Sequence, residues 1–283
     1  MSISVLLPKG RIFANIEQLF SDSEKKITGA DRSYRPLCAD IEINVKLMKP
    51  QNIPAIIEFG SHDAGFSGYD WIRETSAEVD IIFDTGFDPV SIVAACPSSF
   101  DEAGLRSRVL TVATEYEQLA CSYLEEQSYA YRLVRTFGAT EVFPPDDADM
   151  IVDNTATGRT ISDNGLRITA TLLRSSTCFI ANKRAMDDHD KREKIMEMAT
   201  LFSSVIEARK RVLIEMNVSS SIFERVINAL PSMQSPTVST LYGNNGFSVK
   251  IAVLKTEASS VITLLKRLGA TDILEYDMRK VIL

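Results

Sequence analysis

The chain is poor in the residues that build metal and redox centres. Its 283 residues hold two histidines and four cysteines. Cys38, Cys96, Cys121 and Cys178 show no C-x-x-C spacing, and His62 and His189 cannot complete a zinc framework with them. Thiols spread in this way suit a reducing compartment, each acting as a small apolar side chain. No apolar run approaches the ~18 residues of a membrane span. The start, Met1 to Arg11, has no basic region ahead of its apolar run, and that run is too short for a signal peptide. A cytoplasmic protein is expected. Positive charge is in the minority, 31 Lys and Arg against 38 Asp and Glu, a net charge of −7. That excludes a general nucleic-acid binder, which needs cations in excess. It leaves room for small anionic ligands, which need only a local cluster of N–H groups and a few basic side chains. No Ser/His or Cys/His arrangement suggests a hydrolytic triad.

What is present is ordinary globular material. Hydrophobic residues make up 45% and charged residues 24%, and the length fits about two domains or three small ones. Ile3–Leu7 reads as a buried strand stopped by Pro8, Lys9 and Gly10. A helix follows from Ile12, with Ile16, Leu19 and Phe20 on its inner face. Ile41–Met48 reads as a strand. Asn52-Ile-Pro then opens a helix with Ile53, Ile56, Ile57 and Phe59 facing inward. Val79–Phe83, Ser91–Cys96, Val109–Thr114, Tyr131–Thr136, Leu166–Leu173 and Ser176–Asn182 read as separate short strands, and Glu117–Glu126 as a helix. The alternation predicts an α/β fold with mostly parallel sheets. A long amphipathic helix over Asp187–Ala208 acts as a connector. Beyond it the order β-α-β-β-α-β predicts a ferredoxin-like sandwich. There Ser219–Ser221 would cap a helix, and Gly243-Asn-Asn-Gly246 would turn a hairpin.

Three segments carry chemistry. Asp149-Met-Ile-Val-Asp153 is a strand leading into Asn154-Thr-Ala-Thr-Gly-Arg-Thr160. Thr155–Thr160 offers successive N–H groups, three Thr hydroxyls and a glycine, the makings of a phosphate nest. Asp149 and Asp153 share a strand face, and a carboxylate beside a phosphate nest suits the hydroxyls of a sugar phosphate. The other reading is a polar strand-to-loop turn. Lys9, Gly10 and Arg11 stand at the end of the first strand, where two cations suit a polyphosphate or merely a solvated turn; Lys49 adds a third cation. The Gly65-Phe-Ser-Gly-Tyr-Asp-Trp71 loop can hold a purine by stacking, although Tyr69 and Trp71 also fit as core anchors.

These segments stand in an order that resembles a known family. Leu7-Pro-Lys-Gly-Arg11, Asp63–Trp71, Ala113-Thr-Glu-Tyr116 and Asp149–Leu166 resemble the ATP phosphoribosyltransferases. The tail, with Pro236–Leu241 and Leu268–Leu274, resembles the regulatory domain of the family's long form. The resemblance implies a two-lobed, periplasmic-binding-protein-like catalytic part and a C-terminal ferredoxin-like (ACT-like) regulatory domain. Residues 1–92 would form lobe I, with 179–207 returning to it, 93–178 lobe II, and 208–283 the regulatory domain. It implies transfer of the phosphoribosyl group of phosphoribosyl pyrophosphate to ATP, with Mg²⁺, as the first step of histidine biosynthesis. It also implies feedback inhibition by histidine and assembly of dimers into a hexamer.

By that resemblance Asp153, Lys9 and Arg11 are catalytic. Asp149, Asp153, Thr155, Ala156, Thr157, Gly158, Arg159 and Thr160 bind phosphoribosyl pyrophosphate. Lys9, Gly10, Arg11, Lys49, Gly68, Tyr69, Asp70 and Glu141 bind the nucleotide. Histidine binds at Asn217, Thr237, Ser239 and Ala270, and Mg²⁺ is held mainly through substrate phosphates. The chain departs from the family pattern at Asp146-Asp147, which adds carboxylates ahead of the loop strand, and at Asn154, where Leu or Ile is common. A non-catalytic or altered-substrate paralogue sensing a nucleotide or amino acid is the alternative. A two-lobed solute-binding protein fits less well with the absence of a signal peptide.

Overall fold

The computed structural model describes residues 2–231 and 235–282. They form two compact units: the first comprises residues up to Ser21 and Lys25–Ala199, the second Asp22–Glu24 and the chain from Thr200 on.

The first unit is built on one eight-stranded sheet. Its elements begin with β1 (Ile3–Pro8), α1 (Phe13–Asp22), a hairpin of β2 (Ile27–Thr28) and β3 (Leu37–Cys38), and β4 (Ile43–Met48). Then come α2 (Ile53–Phe59), β5 (Ala64–Gly68), α3 (Tyr69–Thr75), β6 (Val79–Pro97), α4 (Glu102–Arg106), β7 (Leu110–Thr114), α5 (Glu117–Glu126) and β8 (Tyr131–Arg135). β9 (Met150–Thr155), α6 (Arg159–Asp163), β10 (Leu166–Asn182), α7 (Lys183–Asp187) and α8 (His189–Arg209) follow. The boundary between the units falls inside α8.

The strand order is β4-β1-β5-β10-β6-β9-β7-β8. β4, β1 and β5 are parallel, as are β8, β7 and β9, so each end of the sheet repeats one pattern of parallel strands. β6 and β10 run antiparallel to each other and join the two ends. Val79–Asp84 of β6 pairs with Cys178–Asn182 of β10 beside β5, and Val90–Pro97 pairs with Leu166–Ser175 beside β9. This is a two-lobed α/β architecture whose lobes share two strands. The register shifts between Ser175 and Thr177 and again before Cys178, and Gly86 and Asp88 take positive φ, so the ladder is irregular where the lobes meet.

β6 and β10 correct the sequence reading, which broke each into two short strands. The polar residues Asp84–Asp88 and Arg174–Ser176 look like loop material. They are the crossing between lobes, where the buried positions Thr85 and Ser175 are polar and break the hydrophobic pattern of a strand. Helices of both lobes bury apolar faces on the sheet. Leu6, Ile53, Ile57 and Ile72 pack together in lobe I, and Ile92, Leu110, Val112, Leu124 and Met150 in lobe II. Phe59, expected to face inward, is 80% exposed, because α2 ends one residue later at Gly60 and turns that side chain outward.

The second unit has β11 (Arg211–Val218), α9 (Phe223–Ile227), β12 (Thr237–Thr240), β13 (Phe247–Leu254), α10 (Lys255–Leu268) and β14 (Thr271–Asp277). The sheet order β12-β13-β11-β14, antiparallel throughout, is the ferredoxin-like arrangement expected from the sequence. Strand alternation explains its core: Val212, Ile214, Met216 and Val218 meet Val249, Ile251 and Val253 on the face covered by Val261 and Leu265 of α10. The serines do not cap α9. Its N-cap is Ile222, while Ser219 and Ser221 share a hydrogen bond of 3.0 Å with each other.

Candidate active site

Parallel strands bring their carboxyl ends to one edge, and in each lobe that edge opens on the cleft. Beyond β1 stand Lys9 and Arg11, beyond β4 Lys49, and at the end of β5 Gly68. Glu115 and Tyr116 follow β7, and Thr136 and Phe137 follow β8. Three cavities result. A cavity of about 440 Å³ is lined by Arg11 of lobe I and by Glu115, Glu141, Asp153–Thr157 and Thr160 of lobe II. A second, of about 380 Å³, shares Arg11, Glu115 and Asn154 with it and adds Lys9, Gly68 and Trp71. A third, of about 320 Å³, is lined by Lys49, Gln51, Trp71, Glu115 and Arg135. Basic groups from one lobe thus face a hydroxyl-rich loop from the other.

That loop is a tight turn between β9 and α6. Gly158 takes φ +76°, which a side chain would strain. Its N–H donates to Thr155 Oγ1 at 2.9 Å, and the Arg159 N–H donates to Thr157 Oγ1 at 3.4 Å. The two hydroxyls therefore accept from the turn and keep their own hydrogens for an anion in the first cavity. Arg159 does not line the cavity: its side chain is 85% exposed and lies 3.5 Å from Asp163. Asp149 does not line it either. It precedes β9, at the end remote from the loop, where Arg108 holds it at 2.8 Å and the Thr111 N–H at 2.9 Å. Four strand residues, roughly 13 Å, separate it from Asp153. Asp146 and Asp147 are not among the residues that line the cavity.

Asp153 is half-buried on the cavity wall, and its carboxyl is pushed up to about 6. Loss of hydration is the main cause; hydrogen bonds from the Asn154 N–H and the Thr140 hydroxyl oppose it, and the charges of Glu115 and Glu141 add to it. The folded chain thus holds a proton, between the ordinary carboxyl range and pH 6, that the unfolded chain releases. Stability contributed by this group is greatest in acid and falls as pH rises through 6. Asp153→Asn is expected to melt higher than the parent at pH 7.5, by on the order of 1–2 kcal/mol once partial solvation is allowed for. The gain should vanish at pH 4. Calorimetry at the two pH values checks it, and an equal gain at both would refute this electrostatic account.

Asp70 was expected in a loop facing the nucleotide. It lies instead in the first turn of α3, 4% exposed. Tyr116 Oη donates to its Oδ2 at 2.7 Å, Ser175 Oγ donates to its Oδ1 at 2.6 Å, and its own N–H donates to Ser175 Oγ at 2.9 Å. Gly68 is required by this arrangement, since a Cβ there would fall 2.1 Å from Asp70 Oδ1. Tyr69 packs in the lobe I core, with its hydroxyl accepting from Arg73 at 3.3 Å. Trp71 faces the cleft and stacks on Tyr116, ring centroids 4.5 Å apart. Asp70 is tied into this hydrogen-bond cluster and still borders the second cavity, Tyr69 packs in the core, and Trp71 is an aromatic wall of the cleft.

Of the remaining expected residues, Lys9, Arg11, Lys49, Gly68 and Glu141 all line the cleft. Lys9 Nζ donates to Tyr34 Oη at 2.8 Å. Glu115 and Arg135 were missed. Glu115 borders all three cavities and Arg135 the third. A signal existed: Glu115 follows the end of β7 and Arg135 closes β8, the positions that face a ligand in parallel sheets.

In the second unit Asn217, Ser248 and Ser239 are in register across three strands, with Thr237 opposite Lys250, on the face turned away from α10. Asn217 Nδ2 donates to Asp272 Oδ2 at 2.9 Å. Ala270 does not join them by its side chain, which is 2% exposed and packs in the core under α10.

The fold and cleft define a two-lobed α/β protein in which basic side chains of one lobe face a hydroxyl-rich loop of the other. The family model for ATP phosphoribosyltransferase matches residues 49–204, and that for the HisG C-terminal domain matches 208–280. The ATP phosphoribosyltransferase of Chlorobium phaeovibrioides is 36% identical over 98% of this chain and 96% of its own. That of Pelotomaculum thermopropionicum is 35% identical over the full length of both. An ATP phosphoribosyl transferase (HisG:HisZ) complex from Thermotoga maritima shares the fold, with TM-score 0.65, 24% identity, and coverage of 72% of this chain and 98% of that one. The chain belongs to the ATP phosphoribosyltransferase family, pentosyltransferases of the first step of histidine biosynthesis.

Proposed function

We propose that the chain joins ATP to phosphoribosyl pyrophosphate, giving phosphoribosyl-ATP and pyrophosphate, in the cleft described. One observation carries the assignment of sites: Asp153 and the Thr155–Thr160 loop of lobe II share a cavity with Arg11 of lobe I. The loop hydroxyls of Thr155, Thr157 and Thr160, with the backbone of Ala156 and Gly158, hold the 5-phosphate. Asp153 lies beside the ribose. Lys9, Gly10, Arg11 and Lys49 meet the polyphosphate groups, and Gly68 and Trp71 wall the nucleotide. A ring nitrogen of adenine attacks the anomeric carbon as its bond to pyrophosphate breaks, and positive charge develops on the ribose. Asp153 stabilises that charge, and the basic groups take up charge on the leaving group. The nucleophile needs no activation, so catalysis is largely the orientation of two anions.

Magnesium fits this cavity. Glu115 and Glu141 stand on the same wall, and their charge already raises the proton affinity of Asp153. Among the described residues no cluster of three His, Cys, Asp or Glu forms a cage. Glu115 and Glu141 would therefore meet an ion that arrives on the diphosphate, as is usual for this metal. Bound there, it would neutralise the departing pyrophosphate.

Histidine inhibits, in this reading, by binding the second unit at Asn217, Thr237 and Ser239, with Ala270 contributing backbone only. Leu274 and Tyr276, 49% and 43% exposed on the same sheet face, support burial of that face by a second copy in a dimer or hexamer. A cytoplasmic setting follows from the pathway; among the described residues no helix is long and apolar enough to cross a membrane.

Product mass spectrometry after mixing with ATP, phosphoribosyl pyrophosphate, Mg²⁺ and a pyrophosphatase tests the reaction. Phosphoribosyl-ATP that declines on adding histidine is expected; both ligands bound without product would refute the activity. Asn217→Ala should raise the histidine concentration for half-inhibition at least tenfold, equivalent to ~1.4 kcal/mol, with basal turnover unchanged. An unaltered inhibition curve would place the effector elsewhere.

A further inference from the structure

Asn154 follows the acid of the cavity wall, and its side chain is held at two points. Nδ2 donates to Asp153 Oδ1 at 3.2 Å and to Tyr116 Oη at 3.2 Å. An amide NH₂ has two hydrogens, so both bonds can be made together. Tyr116 donates onward to Asp70 Oδ2 at 2.7 Å, and Asp70 Oδ1 accepts from Ser175 at 2.6 Å. The chain of bonds leaves Asp153 in lobe II, crosses to α3 in lobe I, and ends on β10 beside the irregular stretch where the lobes meet. Asn154, Arg11 and Glu115 are also the residues common to the first two cavities, so the amide stands where the two substrates would meet.

We propose that Asn154 is a positioning residue that tethers the Asp153 carboxylate to the lobe-spanning Tyr116–Asp70–Ser175 cluster, so that the direction of the carboxylate follows the setting of the lobes. The inference rests on the reading of Asp153 as the group beside the ribose. A solvated amide with no such role would point its two hydrogens at water. Here one meets the reacting wall and the other a buried phenol whose own proton is committed to Asp70. Donors and acceptors in such a chain polarise one another, which stiffens the whole.

Replacement of the amide by leucine separates the tether from the loop. The Asn154 N–H, which donates to Asp153 Oδ1 at 2.7 Å, would remain, and so would the turn that follows. The groups facing Asp153 are then Glu115 from the end of β7, Glu141 and Thr140 from the turn after β8, and Arg11 across the cavity. With one donor fewer against two neighbouring carboxylates, Asp153 holds its proton more tightly.

The test uses the full chain with Asn154→Leu, Tyr116→Phe and the double variant. Asn154→Leu is expected to lower kcat about tenfold, with the KM for phosphoribosyl pyrophosphate within twofold and the acid limb of the rate profile moved to higher pH. Tyr116→Phe should move both in the same direction, and the double variant should be no worse than the poorer single one. Unchanged kcat and acid limb in Asn154→Leu, or fully additive losses, would overturn the tether. ¹³C-carboxyl NMR of Asp153 in the ligand-free protein reads the same effect without turnover. A shifted Asp153 midpoint in a protein that makes no phosphoribosyl-ATP would keep the tether and discard the assigned reaction.

Discussion

Asp153→Asn is expected to lower kcat by about 10²–10³-fold while leaving both Michaelis constants within a few-fold of the parent. The substitution keeps shape and removes charge. In the ground state the ribose is neutral, and the Thr155–Thr160 loop proposed to hold its phosphate keeps its hydroxyls and backbone in the variant. The carboxylate matters when the anomeric carbon loses its leaving group, and what is lost then is transition-state stabilisation alone. The same group shapes the rate profile: since its carboxyl is pushed up to about 6, kcat/KM should fall as pH drops below that value, while the asparagine variant shows a flat acid limb. Steady-state kinetics from pH 5 to 8 decide the matter. Near-normal turnover in the variant, or an unchanged acid limb, would remove Asp153 from the chemistry.

The second large effect concerns stability. Asp70→Ala should cost about 2–5 kcal/mol, because it leaves the Tyr116 and Ser175 hydroxyls as buried donors without their acceptor. For a unit of this size that is a fall in Tm of roughly 5–15 °C. Asp70→Asn keeps one acceptor oxygen and should lie between the two. Calorimetry without ligands separates this from any effect on substrate binding. A melting temperature within 2 °C of the parent for the alanine variant would show that the cluster does not hold the lobes.

The contrast between Asp153 and Asp70 shows how far a sequence can be read. Both acids were legible as candidates, and only three-dimensional placement told them apart. Asp153 stands in the strand directly after its buried run Met150–Val152 and just ahead of the glycine loop, so its place near the carboxyl end of β9 was readable. Gly68-Tyr-Asp reads as a loop, whereas helix α3 begins directly at Tyr69, so Asp70 borders the second cavity from a helix turn with its carboxylate tied to Tyr116 and Ser175. Alternation and glycine stops indicated an α/β fold with parallel strands, but the 2-1-3 order within each lobe is set by tertiary pairing that they do not encode. The joining strands were illegible as single strands, since their middle parts satisfy no hydrophobic period: what they bury at the lobe junction is polar, Thr85 and Ser175. Arg159 and Asp149 do not line the cavity for reasons of placement: Asp149 precedes β9, four residues from Asp153, and the Arg159 side chain lies exposed beside Asp163.

The shared strands also bear on how the chain comes to be folded. Lobe II is nearly closed in sequence: from Val90 to Ser175 it contains every strand it needs. Lobe I is not. Ala64 pairs with Ala181 and Phe66 with Phe179, so β5 waits for partners that lie beyond the whole of lobe II. Contacts so distant along the chain are slow to form. During synthesis the second lobe is therefore complete while the first still exposes an unpaired edge at β5, and the last stretch of β10 closes it. Chains stopped before Cys178 should display that edge as a strand-pairing surface, and substitutions in Cys178–Asn182 should act on the yield of folded protein more than on the properties of the molecules that reach the native state.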